Sequence, residues 1–199
     1  MGEVERFHGH HMTPEFGHEV SKFGMWLFLA TELLLFGVLF ATYAIYRSQY
    51  IEMFHEQHLE LDRTIGAINT VVLIASSLTM ACGIASIQRN KPKLLAIFLV
   101  LTILGGLIFG VNKYFEYGAK FEHHIYPGTS LFFSLYFMMT GLHMLHVFGG
   151  VAILAVMLVL TLKGKFSAEY YTPVELGGLY WHLVDLIWIY LFPLFYLIG

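Results

Sequence analysis

Residues 176–198 read LGGLYWHLVDLIWIYLFPLFYLI. A bilayer crossing needs about 20 mostly apolar residues, and this run supplies them. Two ionisable side chains nevertheless sit well inside it, His182 and Asp185, one helical turn apart. Such a group costs on the order of 3 kcal/mol at mid-bilayer unless it finds a partner. This helix must therefore turn one face towards protein, and the rest of the chain must supply what meets that face.

Working outward, four more runs have the length and apolarity of a crossing. They cover about residues 23–46, 64–87, 94–112 and 130–162. The predicted fold class is all-α, a polytopic membrane protein built as a bundle of five transmembrane helices, occupying 22–199 behind a polar arm, 1–21. The whole sequence agrees: 57% of residues are hydrophobic and 13% charged, and mean hydropathy is +0.67. A soluble domain carries about 25% charged residues. The net charge of -3, with no long basic cluster, argues against nucleic acid as a partner. The lone Cys82 rules out a disulfide within the chain and reads as a small packing residue.

The arm contains His8, His10, His11 and His18, with Gly2, Gly9, Pro14 and Gly17 between them. No cysteine or spaced carboxylate completes a metal set, so it reads as a surface tail. It has no apolar core of signal-peptide length, and insertion is expected to use the first span.

The first span holds Glu32 about ten residues in, near mid-membrane at 1.5 Å per residue. An intramembrane carboxyl either handles protons or a partner, or locks helices together. Ser76, Ser77 and Thr79 in the second span suit interhelical hydrogen bonds, and Gly106 and Gly110 in the third suit close approach of another helix. Residues 47–63 read as a solvated loop or short surface helix, and 113–128 as a second loop. The fourth span carries His143 and His146, which share a face at i and i+3. Pro193 stands near the far end of the fifth span, where a local kink costs least.

Orientation follows the lysines and arginines. Arg6, Lys22, Arg89, Lys91, Lys93, Lys163 and Lys165 fall on the N-terminal side; Arg47, Arg63, Lys113 and Lys120 fall on the other. The bias places the N-terminus in the cytoplasm and the C-terminus outside. Glu32, His143, His146, His182 and Asp185 then lie within a turn or two of one plane. They are expected to form an interhelical cluster in which His143 or His146 bonds Glu32 and His182 lies near Asp185. A haem or di-iron site is less in keeping with the pattern, because neither histidine-bearing span has Glu-x-x-His. No repeat supports an inverted-repeat transporter.

Three blocks, in order, resemble subunit III of the haem-copper oxidases. They are Trp26 to Phe36 around Glu32; Gly141-Leu142-His143-Met144-Leu145-His146-Val147; and Tyr180-Trp181-His182-Leu183-Val184-Asp185-Leu186-Ile187-Trp188, with Glu175 seven residues before His182. Asn69, Thr70, Glu116 and Tyr117 also fall where that family has similar residues. The match begins at the family's third helix and is similar to its short five-helix bacterial form. In longer members two further helices make one wall of a lipid cleft, so a cleft of that kind is not expected here. Tyr171-Thr172-Pro173-Val174 departs from the family's usual approach to Glu175, so the entry turn should differ.

The resemblance implies a subunit with no catalytic residue, haem or copper of its own, in the bacterial inner membrane. It would pack on subunit I and other oxidase subunits, where haem and copper reside, bind phospholipid, and support proton uptake and stability during oxygen reduction. The wording of the last helix leans towards a cytochrome c oxidase. A quinol oxidase subunit and an accessory membrane protein of nitric oxide reduction are the related alternatives. An autonomous membrane carrier and a haem-binding electron carrier are the rivals of other classes.

Overall fold

The computed structural model describes residues 14–198, with side chains from residue 19 onward. The arm histidines His8, His10 and His11, and the side chain of His18, lie outside this description. Six α-helices follow in order: α1 Pro14–Gln49, α2 Ile51–Gln57, α3 Arg63–Gln88, α4 Pro92–Glu122, α5 Leu131–Leu162 and α6 Thr172–Phe192. A 3-10 turn, His58–Glu60, follows α2, and a π segment, Pro193–Ile198, continues α6. Five of these helices are long and apolar enough to cross a membrane: α1, α3, α4, α5, and α6 with its π extension.

Local chemistry sets the ends. The Asp62 carboxylate caps α3, accepting from the backbone N–H of Thr64 at 2.8 Å and of Ile65 at 3.2 Å. Ser130 caps α5 through the Phe133 N–H. Prolines occupy the first turns of α4 and α6, where their missing N–H costs nothing. Helices α3, α4 and α5 all close with the same double bond pattern, in which one residue adopts positive φ. Those residues are Asn90 (φ 55), His124 (φ 58) and Gly164 (φ 68). In α3, for example, Asn90 N–H donates to Ile87 O and Lys91 N–H to Ser86 O. This satisfies carbonyls that a helix end otherwise leaves bare.

Helix α4 lies between α3 and α5, and α6 closes against both. Trp181 on α6 explains the closeness. Its indole fills a slot between Gly106 of α4 and Gly150 of α5, where an added Cβ would stand 2.7 and 2.8 Å from the ring. The fully buried core around it includes Leu73, Phe109, Tyr136, Val147 and Trp188. Helix α1 is the outlier, with only 11% of its apolar window buried within the chain. Ser76, Ser77 and Thr79 of α3 each bond another helix. Ser76 Oγ accepts from Trp181 Nε1 at 3.1 Å, Ser77 pairs with His182, and Thr79 pairs with Thr102 at 2.8 Å.

Four expectations need correction. The third span does not end at Asn112; α4 runs on to Glu122 because Lys113, Glu116 and Lys120 lie on its inner face and find partners there. The arm is not separate up to residue 21, since α1 already includes Pro14 to Ser21. The fifth span starts at Thr172, not 176, with Pro173 serving its first turn. Residues 47–63 do form a short helix, α2, but not one that lies wholly at the surface. Phe54, His58 and Leu61 are buried, and the Phe54 ring meets Tyr43 and Phe132 edge-on.

Candidate functional site

The polar residues inside the membrane divide into three groups rather than one cluster.

In the first, His146 on α5 meets Glu32 on α1, Nε2 to Oε2, at 2.9 Å. The other ring nitrogen decides the tautomer. His146 Nδ1 stands 2.8 Å from the Leu142 carbonyl, which can only accept, so Nδ1 carries hydrogen. The Glu32 contact then holds a single proton, on the carboxyl or on Nε2. Either arrangement is neutral overall, which is the form a hydrocarbon environment tolerates. The pair is 15% exposed on each side. Phe36 packs edge-on against the imidazole at 5.3 Å, and the Tyr180 hydroxyl donates to the His146 carbonyl at 3.1 Å.

The second group joins α3 to α6. His182 Nδ1 lies 2.6 Å from Ser77 Oγ, and the same serine faces Asp185. Asp185 is buried, and its Oδ1 has no hydrogen-bond partner among the described residues. His182 and Asp185 thus share a serine neighbour.

The third group gathers around Glu116, which the sequence reading named only through the resemblance, and Lys113, Tyr136 and Tyr196, which it missed. Lys113 is wholly buried, and its Nζ donates to Glu116 Oε2 at 3.0 Å, Tyr136 Oη at 2.8 Å and Tyr196 Oη at 3.0 Å. These three acceptors match the three N–H bonds of an ammonium. Each phenol in turn donates a hydrogen bond to Glu116 Oε1, Tyr136 at 2.7 Å and Tyr196 at 2.5 Å. Aromatic faces of Tyr117, Tyr136, Trp188 and Tyr196 stand 4.8 to 5.6 Å from the ammonium. Lys120, one turn beyond Glu116, donates to the Glu60 carbonyl at 3.2 Å and ties α4 to the 3-10 turn. The spacing Lys113, Glu116, Tyr117, Lys120 was the signal. At i, i+3, i+4 and i+7 it is one helical face, and it was read as loop because charges ended the apolar run.

His143 belongs with none of these pairs. It is fully buried, and neither ring nitrogen has a hydrogen-bond partner. Its ring stacks on Trp188 at 5.4 Å and meets the Phe109 edge at 5.4 Å. Of the two histidines that could reach Glu32, only His146 does; the ring of His143 packs in the aromatic core.

The remaining sequence candidates bind helix to helix. Asn69 Oδ1 accepts from Asn112 Nδ2 at 2.8 Å, and Thr70 Oγ1 accepts from Trp188 Nε1 at 3.0 Å. Glu175 forms an ion pair with Lys22 of α1 at 3.2 Å, partly exposed and oblique for a hydrogen bond. Among the described residues no three His, Cys, Asp or Glu side chains converge. What the arrangement can do is hold protons in closed, neutral groups and lock the bundle.

The family model described as cytochrome c oxidase subunit III matches residues 2–199. A Synechocystis protein named cytochrome c oxidase subunit 3 is 38% identical over 194 residues, 96% of this chain and 79% of that protein. A Thermostichus vulcanus protein of the same name is 32% identical over 207 residues, 100% and 98% of the two chains. A Staphylococcus aureus protein named probable quinol oxidase subunit 3 is 29% identical over 184 residues, 91% and 90%.

Proposed function

This chain belongs to the cytochrome c oxidase subunit III family, and from that premise we propose how it serves its complex. As a subunit III it is part of a membrane-bound haem-copper oxidase. It acts as a packing and electrostatic element, and haem and copper are held by partner subunits, of which subunit I is the one it packs on. The observation that carries this reading is the closure of two of its intramembrane charge groups. Lys113 with Glu116, and Glu32 with His146, each form a neutral, internally satisfied group. Such groups specify helix register and proton positions, and they leave no set of ligands aimed at a cofactor. Family membership sets this reading above an autonomous carrier, and the greater identity to proteins named for cytochrome c favours that donor over a quinol.

The finer assignments follow from the same reading. The chain sits in the bacterial inner membrane with its N-terminus in the cytoplasm, supported by the lysine and arginine distribution. Glu32, His146, His182 and Asp185 sustain proton uptake and catalytic lifetime through the helices they hold. Phospholipid occupies the apolar groove of about 400 Å³ lined by Met25, Phe28, Ile153, Met157, Leu176 and Tyr180.

The test is to tag the chain, extract it in mild detergent, and record a visible spectrum of the co-purifying complex and of the separated chain. A haem- and copper-bearing complex with a colourless separated chain is the expected result. A chain that emerges alone, or with a haem spectrum of its own, overturns the reading.

A further inference from the structure

His182 differs from the other intramembrane groups with unpartnered atoms: His143 and Asp185 are buried within the chain, whereas His182 is not. It lies ten residues into α6, about 15 Å along the helix, and Ser77 is at the middle of α3. Both therefore sit near mid-bilayer. His182 is only half-buried, and its one hydrogen bond uses Nδ1. Nε2 has no partner among the described residues. Around it the α3–α6 face is apolar and outward: Ile74 and Leu78 on α3, Leu186 on α6 are all exposed. On the α1–α5 side, by contrast, Glu32 and His146 satisfy each other, and the neighbouring groove is apolar.

We propose that the α3–α6 face is the surface on which a transmembrane helix of a partner oxidase subunit docks, with a hydroxyl or amide side chain at mid-depth bonded to His182 Nε2. The chemistry excludes acyl chains as the intended cover. A polar atom facing hydrocarbon keeps its full desolvation cost, and lipid headgroups, the lipid's only hydrogen-bonding parts, lie at the membrane surfaces, far from this plane. A hydroxyl or amide both donates and accepts, so it answers either tautomer of the imidazole. The surrounding isoleucine and leucines supply the packing. This inference rests on the oxidase-subunit reading and adds which side of the bundle meets protein.

A photo-crosslinking amino acid placed at Leu78, and in a separate chain at Val156 on the exposed side of α5, tests it in the intact detergent-extracted complex. The expected result is a covalent adduct from position 78 to an oxidase subunit. An adduct from 78 to lipid only, to a second copy of this chain, or to nothing, in a chain that still co-purifies with the oxidase, overturns the docking face. So does an adduct to an oxidase subunit from 156 alone. A chain that co-purifies with no haem–copper partner overturns the oxidase reading instead, so the two failures are distinguishable. As a second readout, His182→Leu weakens retention in the complex by about 3- to 30-fold, the range an interhelical hydrogen bond commands. His182→Gln, which keeps a polar group there, retains most of it. Equal retention of both variants contradicts the proposal.

Discussion

Lys113 and Glu116 lie one turn apart on α4, 3.0 Å from ammonium to carboxylate, and neither is open to the surroundings. Tyr136 from α5 and Tyr196 from the π segment complete the group. A buried pair of this kind contributes little net stability over an apolar replacement, but breaking it is expensive, because the survivor is left charged and unpaired.

Lys113→Met should therefore destabilise the chain by about 3–5 kcal/mol. Lys113→Met combined with Glu116→Gln should lose less than Lys113→Met alone. Heating the detergent-extracted complex and following aggregation of this chain checks both. A double variant worse than the single one would show that the two residues do not act as a pair.

Glu32→Ala leaves His146 Nε2 without its partner and should cost about 1–3 kcal/mol. It should weaken assembly or shorten oxidase lifetime without abolishing the haem spectrum of the complex. Glu32→Gln can still donate to Nε2 and should lie nearer the parent. Turnover-dependent inactivation, measured side by side, separates the three. A vanished haem spectrum in a complex that still contains the Ala variant contradicts the role given to Glu32.

His143 and His146 look equivalent in the sequence and should respond in opposite ways. His143→Phe removes two unpartnered nitrogens from an aromatic site at similar volume, so its effect should stay within about 1.5 kcal/mol and can be stabilising. His146→Phe removes a bonded group and should be clearly destabilising. The heat-aggregation midpoints of the two variants decide.

The slot for Trp181 yields a contrast within one residue type. Gly150→Ala puts a methyl 2.8 Å from the indole, and overpacking of that kind costs about 1–3 kcal/mol. Gly118→Ala in α4 meets nothing within 4 Å and should be neutral or gain up to about 1 kcal/mol from helix propensity. The same midpoints check the pair.

Hydropathy and length made the five spans legible, because a crossing helix must be apolar for about 20 residues whatever it touches. The same criterion hid the Lys113 group. A charged residue ends an apolar run on paper, whereas in the bundle it ends the lipid-facing surface on one side only, and α4 continues inward for ten more residues. The Glu32–His146 contact was half legible. Depth brought Glu32 and two histidines to one level, and only the packing of the folded bundle chose between them. Ser77 as the partner of His182 was beyond reach, since small hydroxyls on a packed helix look alike until a neighbour is placed beside one.

The π segment at Pro193–Ile198 sets an order in time. Chains emerge N-terminus first, so α4 and α5 are made, and Lys113 can already meet Glu116 and Tyr136, before α6 exists. The third acceptor, Tyr196, arrives only with the turn that follows Pro193. Until then one ammonium proton and one carboxylate bond lack their final partner. The paired charges of α4 are therefore fully hydrogen-bonded only once the segment after α6 has reached them, which makes that segment the piece that closes the group.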